Sequence, residues 1–226
     1  MILAIVPARG GSKRLPGKNI VPFGGRPLLT WSIALARQLG SVVSCVVSTE
    51  DAATAVVARQ AGAIVIDRPA ALAGDESSII EVLIHAAESV RSRGVSFDGV
   101  MLLQPTNPLR PIEVVEHAIH RFMLESCDSL VSVSRRQLKL GRVVDGRFVP
   151  DYVFGTQSRH APAIFYENGL LYLTKTSTLL EGRSLTGDRV LAFETERPFD
   201  DVDIDEPIDL VVGEAILSAV RDRLSY

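Results

Sequence analysis

The chain has 226 residues, with 24 lysines and arginines against 27 acidic residues and a formal net charge of −3. That balance gives none of the basic excess that marks a nucleic-acid binder, so an anion site would need local clustering of cations. With 46% apolar and 23% charged residues, the composition is that of a globular protein large enough for one substantial α/β core.

The first predicted element, residues 2–6, is an apolar run that reads as a buried strand. Pro7 ends it. A loop follows with Gly10, Gly11 and Ser12 among four cations, Arg9, Lys13, Arg14 and Lys18. Small residues let backbone N–H groups approach a ligand, and the cations offset negative charge. The loop lacks the Gly-x-Gly-x-x-Gly spacing of dinucleotide binders and the Gly-Lys-Ser/Thr ending of a P-loop. A glycine turn with solvated cations would look similar. The clustering of four cations after a buried strand favours phosphate binding at the carboxyl end of a sheet.

A helix is predicted over 27–39, with Pro27 in its first turn and Gly40 as its stop. Residues 41–48 form a second strand. Thr49 or Asp51 could cap a helix over 52–60, and a third strand covers 63–66. Two strand–helix–strand units in succession predict an α/β fold with a mostly parallel sheet flanked by helices. Ser78 and Glu81 have the spacing of a capping box for a helix ending at Gly94. The most apolar strand, 97–103, runs into a three-proline loop that presents Gln104, Thr106, Asn107 and Arg110. A stiff loop pre-positions side chains at little ordering cost, although it could equally be a rigid surface turn.

A helix over 113–124 and a strand over 129–133 complete the regular pattern. Residues 135–166 depart from it and read as an inserted arm, between core segments 1–134 and 167–226. A hairpin over 143–149 turns at Asp145-Gly146. Val143, Val144, Phe148, Val149, Tyr152, Val153 and Phe154 are too many apolar residues for a free loop, so the arm must pack on the body or on a second subunit. Strands over 168–174 and 190–193 and a short helix over 177–180 lead to an acidic stretch, Asp200 to Glu206, and a final helix over 207–223. Asp203 and Asp205 alternate, so both carboxylates can point one way. The pair could hold a hard divalent cation. Asp205 could equally cap the final helix, and Asp200 and Asp201 could simply be solvated.

Cys45 and Cys127 read as reduced core thiols. His85, His117, His120 and His160 form no metal motif. The start resembles no signal segment, and no apolar run approaches a membrane span. A cytoplasmic protein with no nucleic-acid or membrane partner is the expectation.

Several of these stretches resemble the CMP-acylneuraminate synthetases, cytidylyltransferases that activate nine-carbon sialic-acid-like sugars. The similarity covers almost the whole chain. Its carriers are the loop from Ile5 to Asn19, Arg68-Pro69 with Leu72-Ala73-Gly74-Asp75, Gln104-Pro105-Thr106-Asn107-Pro108-Leu109-Arg110, Asn168-Gly169 with Tyr172, and Asp203-Ile204-Asp205. Each is weak alone; five in the right order are specific. The sequence departs from the family at Asn107, usually serine, and at His160, where glutamine is common, with the stretch to Asn168 one residue short.

The resemblance implies a Rossmann-like nucleotidyltransferase fold with a protruding β-rich arm that contributes to a homodimer and to the sugar site. It implies that the anomeric hydroxyl of a nonulosonic acid, sialic or legionaminic, attacks the α-phosphorus of CTP and that pyrophosphate leaves. Ala8, Arg9, Gly10, Gly11, Ser12, Lys13, Lys18, Asn19, Arg68 and Ser77 would bind the nucleotide, with Arg68 reading the base. Gln104, Arg159 and Asn168 would bind the sugar. Asp203 and Asp205 would hold Mg²⁺. Arg9, Lys18 and Asp203 would be catalytic. The alternatives are another sugar nucleotidyltransferase of the same fold and a non-catalytic nucleotide-binding domain.

Overall fold

A computed structural model describes residues 1–224 and 226. The first strand, β1 (Ile2–Pro7), buries Ile2, Ala4 and Val6 on one face and Leu3 and Ile5 on the other. A strand covered on both faces reads as an apolar run rather than an alternation. A two-residue pair, β2 (Pro22–Phe23) and β3 (Arg26–Pro27), turns through Gly24 and Gly25, both at positive φ. Pro27 therefore sits in this pair, and α1 (Leu29–Gln38) begins two residues after the predicted start.

The chain continues through β4 (Val42–Thr49), α2 (Ala52–Gln60), β5 (Ile64–Asp67), α3 (Ile79–Arg91), β6 (Gly99–Leu102) and α4 (Ile112–Leu124). Asp51 caps α2, accepting from the Thr54 N–H at 2.7 Å. The expected capping box at Ser78 does not form; Glu81 is drawn instead to the Arg183 guanidinium at 2.5 Å. β7 (Ser129–Gln137) and β10 (Ala163–Lys175) are both longer than predicted and bracket a hairpin, β8 (Gly141–Val144) and β9 (Arg147–Pro150). Asp145 and Gly146 both have positive φ, which a two-residue hairpin turn requires. The chain closes with α5 (Thr176–Leu180), β11 (Val190–Thr195) and α6 (Pro207–Val220).

Seven strands form one sheet in the order β11-β7-β10-β6-β1-β4-β5. Every neighbouring pair is parallel except the two made by β10. One face is covered by α1, α2 and α4 through Leu29, Ile33, Ala58, Ile119 and Phe122. The other is covered by α3 and α5 through Leu83, Ala86, Ala87 and Leu179. Cys45 and Cys127 are free and buried, and burial pushes the Cys45 thiol up to about 12. His117 packs edge-on against Phe193.

A third apolar cluster positions the site. Leu15 from the glycine loop meets Phe23, Trp31, Leu109, Val202, Ile204 and Leu217. Loop, stiff loop, acidic stretch and α6 are thus held by one core. None of the described helices is long and apolar enough to cross a membrane.

Candidate active site

The glycine loop leaves β1 at the carboxyl edge of the sheet, after a last ladder bond from the Ala8 N–H to the Ser48 carbonyl at 3.0 Å. A Cβ on Gly10 would stand 2.8 Å from the Asp51 Cβ, so only glycine fits there. The Gly10 N–H donates to Glu50 at 2.7 Å, and the buried Asn19 donates to the Arg9 carbonyl at 2.8 Å. These bonds give a polar loop a defined shape.

All four loop cations meet an acid from elsewhere in the chain. Asp75 takes Arg9 at 2.6 Å and Lys13 at 2.5 Å. Asp205 takes Lys18 at 2.7 Å on one oxygen and Arg14 on the other. The Lys13 and Arg9 cations hold the Asp75 carboxyl below the usual carboxylate range. Arg68 has a nearly buried side chain and donates to the Ser48 hydroxyl and carbonyl at 3.2 and 2.7 Å, with Glu50 4.0 Å away.

A cleft of about 420 Å³ brings Arg9, Ser12, Lys18, Asn19, Arg68, Ser77 and Gln104 together. Ala8 is buried behind it, Gly11 is exposed, and Lys13 stands exposed outside its wall. A second cavity of about 500 Å³ is lined by Tyr166, Glu167, Asn168, Gly169, Tyr172, Asp200, Asp201 and Asp203, with Gln104 again. Gln104 is the wall the two spaces share. It donates to the Gly169 carbonyl at 3.3 Å, and a Cβ on Gly169 would lie 3.0 Å from its Nε2. The positive φ of Gly169 and this close approach both require glycine.

Val202 and Ile204 point into the third cluster, so Asp203 and Asp205 project the other way, as their alternation predicted. Asp205 does not cap the last helix. Glu206 does, in a capping box with Asp209, whose carboxylate also takes the Asp205 N–H at 2.9 Å. Desolvation raises the Asp203 carboxyl pKa, opposed by a Thr106 hydrogen bond and reinforced by the charge of Asp205. Asp203 is nonetheless exposed on its cavity side. For Asp205, desolvation works upward but the Lys18 and Arg14 contacts prevail, and its pKa is lowered. Among the described residues no three ligating side chains cluster as a metal site. Two neighbouring carboxylates would still fit a hard cation that takes its remaining ligands from phosphate and water, once Lys18 and Arg14 leave Asp205.

Other expectations change. Arg110 is not presented to the site. It is fully buried, donating to the Leu170 carbonyl at 2.5 Å, to Ser32 at 3.1 Å and to the Gln104 carbonyl at 2.8 Å. Burial lowers its pKa to about 10. It clamps the stiff loop to β10. Asp200 and Asp201 are not simply solvated: Arg136 pairs with both, at 3.0 and 2.7 Å. The carboxamide of Asn168 is taken up by Ser132, Ser134, Thr195 and the Leu170 N–H, at 2.7 to 3.0 Å. Asn168 therefore shapes the second cavity more than it opens onto it. Arg159 sits on the arm, exposed, outside both cavities. Asn107, expected to be presented by the stiff loop and a departure from serine, is not presented either. It is buried and ties β10 to the acidic stretch, donating to the carbonyls of Asn168 and Val202 at 3.3 and 3.0 Å.

The comparisons with known proteins agree with this geometry. A family model described as Cytidylyltransferase matches residues 3–208. The chain is 34% identical to a CMP-N,N'-diacetyllegionaminic acid synthase of Legionella pneumophila, over 99% of both chains. It is 29% identical to an N-acylneuraminate cytidylyltransferase of Escherichia coli over 92% of its own length, and it spans half of that longer protein. A solved CMP:2-keto-3-deoxy-manno-octonic acid synthetase complexed with CTP superposes with a TM-score of 0.69, covering 96% of this chain and 98% of the other at 18% identity, a likeness of fold. With a family model matched along most of its length and a relative similar from end to end, the chain belongs to the cytidylyltransferase family of nucleotidyltransferases.

Proposed function

We propose that this chain transfers CMP from CTP to the anomeric hydroxyl of a nonulosonic acid of the sialic or legionaminic type, with release of pyrophosphate. The observation that carries the reading is the pair of cavities sharing Gln104. Lys18 lines the cationic one and Asp203 the other. A nucleotide in the first and a sugar in the second would meet at that wall.

In this reading Arg9, Ser12, Lys13 and Lys18 hold the triphosphate, with backbone from Ala8, Gly10 and Gly11 and side chains of Asn19 and Ser77. Asp75 must release Arg9 and Lys13 to the phosphates. Phosphoryl transfer depends on cations placed where charge collects. Lys18 bears on the α-phosphate and the departing pyrophosphate. Arg68, held by Ser48, faces the base. Gln104 orients the sugar against the phosphate and Asn168 shapes its pocket; Arg159, outside that cavity, would meet the sugar carboxylate only on movement of the arm towards it, and a guanidinium can take a carboxylate bidentately. Asp203 accepts the proton of the attacking hydroxyl, directly or through water. Asp203 and Asp205 would hold Mg²⁺, which when bound supplies a hard positive charge against the phosphate oxygens.

The arm supports a homodimer. Val143, Val144, Phe148, Val153, Phe154 and Phe165 are exposed along it, and an apolar surface of that kind marks an interaction site. A second copy of this chain is the occupant that fits the family reading. A CTP substrate places the protein in the cytoplasm.

The test is pyrophosphate release with Mg²⁺ across CTP, UTP, ATP and GTP, each with sialic, legionaminic, pseudaminic and eight-carbon acids. Fast turnover with CTP and a sialic or legionaminic acid is the expected result. Calorimetric CTP binding with no turnover would leave the nucleotide half standing and overturn the acceptor. Absence of both would overturn the reading.

A further inference from the structure

The acidic stretch contains a second pair of aspartates, Asp200 and Asp201, which line the second cavity but have no role in the proposed chemistry, and they are held by the root of the arm. Arg136 is the penultimate residue of β7, where that strand leaves the body. Its Nη2 donates to Asp200 at 3.0 Å and to Asp201 at 2.7 Å. The Asp200 side chain is wholly buried. Its remaining oxygen accepts from the Ser134 hydroxyl, two residues back on β7. Asp201 takes a second cation, Arg197, at 2.6 Å.

Downstream the same segment is pinned to the stiff loop. The Val202 carbonyl accepts from Asn107 at 3.0 Å, and the Ile204 N–H donates to the Thr106 carbonyl at 2.8 Å. Ser134 also accepts from Asn168 at 2.9 Å. Upstream, on the arm side, Gln137 donates to the carbonyls of Arg159 and Ala161 at 3.0 and 3.4 Å. A continuous path therefore runs from the 158–161 turn of the arm, through the end of β7, to the residues that flank Asp203.

A buried ion pair is a poor source of net stability, because desolvation offsets the attraction. Its best-attested use is to fix register. Here one guanidinium fixes two carboxylates of a single turn directly ahead of Asp203 and Asp205.

We propose that Arg136 is a positioning residue, coupling the seating of the arm to the placement of Asp203 on the second cavity and of Asp205 beside it. The inference rests on the CMP-transfer reading and extends it, by assigning the arm an effect on the acidic pair in its own subunit. When the arm is seated, Arg136 holds the 199–201 turn. When the clamp is lost, the Asp203–Asp205 segment keeps its apolar anchors, Val202 and Ile204, but loses its lateral restraint.

The experiment compares the full-length parent with Arg136→Met and Arg136→Lys by steady-state kinetics, CTP calorimetry and amide hydrogen exchange. For Arg136→Met, kcat falls about 10- to 100-fold, the scale of a small misplacement of reacting groups. The CTP dissociation constant stays within about twofold of the parent, since the cationic cleft is untouched. Exchange over residues 199–205 accelerates about tenfold or more while that of β1 and β4 is unchanged. Arg136→Lys, which keeps the charge but not the fork, recovers part of both. Unchanged exchange over 199–205 overturns the proposal. So does loss of CTP binding together with protection throughout the sheet, which would make Arg136 a general structural residue. Should Arg136→Met fail to fold, Asp201→Asn removes one bond of the clamp at a more exposed position, and the same pattern is expected in weaker form; its absence overturns the proposal too. If the parent itself turns over no sugar, the CMP-transfer reading fails, and the exchange comparison still decides the clamp.

Discussion

The nucleotide cleft and the arm are opposites in how they treat their unusual residues. In the cleft, each cation of the glycine loop already has a carboxylate partner, and the side chains of Lys18 and Arg68 are only 18% and 4% exposed. In the arm, Val153 and Phe154 are 79% and 73% exposed with no protein over them. The cleft is preorganised by internal acids that a triphosphate can replace. On the proposed reading, one region exchanges partners on binding and the other gains its first when a second surface covers it.

The largest test of that contrast falls on Lys18. Lys18→Met should lower kcat by about 10²–10³-fold, the range for removing one group that meets transition-state charge, measured as pyrophosphate release. A loss confined to KM would mean that Lys18 binds substrate uniformly and is not catalytic.

Next comes Asp203. Asp203→Asn should lower kcat by about 10²-fold or more, as expected of a general base. Its carboxyl pKa is raised on folding. Stability from this group is therefore present at acid pH and lost as pH rises through the folded-state pKa. At neutral pH the ionised side chain is a cost, so the same variant should show an unchanged or higher Tm by calorimetry. A fall in Tm would show that Asp203 is a structural anion.

The arm is tested by Val153→Asp combined with Phe154→Asp. Sedimentation equilibrium should shift from dimer to monomer. Each substitution should cost the subunit's own fold no more than about 0.5 kcal/mol, as at an ordinary surface site. A double variant that still sediments as a dimer would move the interface elsewhere.

The smallest effect concerns the exposed placeholder Asp75. Asp75→Asn releases Arg9 and Lys13 and should lower the KM for CTP about two- to fivefold at low salt, the worth of an exposed pair. The gain should vanish in high salt. A weaker KM would mean that Asp75 aligns the cations and does not compete for them.

Much of the fold was legible where one signal is strong and local. β1 is an unbroken apolar run, Asp51 precedes a helix at capping distance, and Asp145-Gly146 supplies the two positive φ values of a hairpin. The candidate site was legible as a set of residue types: cations with glycines, a three-proline loop, alternating aspartates. What escaped was the division of labour inside those motifs. Arg110 and Asn107 stand in the same loop as Gln104, yet they face inward and hold β10 to that loop. Asp200 and Asp201 look like Asp203 and Asp205, yet Arg136, 64 residues away from Asp200, pairs with the first two, Lys18 and Arg14 take Asp205, and Asp203 is the one exposed on the second cavity. The capping box expected at Ser78 does not form, Glu81 pairing with Arg183, 102 residues away; a separate capping box, Glu206 with Asp209, opens α6.

By itself the sequence determined the elements, their parallel succession, and which short stretches carry charge to the sheet edge. Those properties depend on neighbours within a turn or a strand, where period and capping chemistry act directly. The tertiary structure alone decided which of several similar charged residues is buried and paired and which stays available. That choice is set by partners distant in the chain, through burial and ion pairing across the fold. At Asp200 a buried partner makes an aspartate structural. Asp203 meets the Thr106 hydroxyl in place of a cation and is exposed on its cavity side.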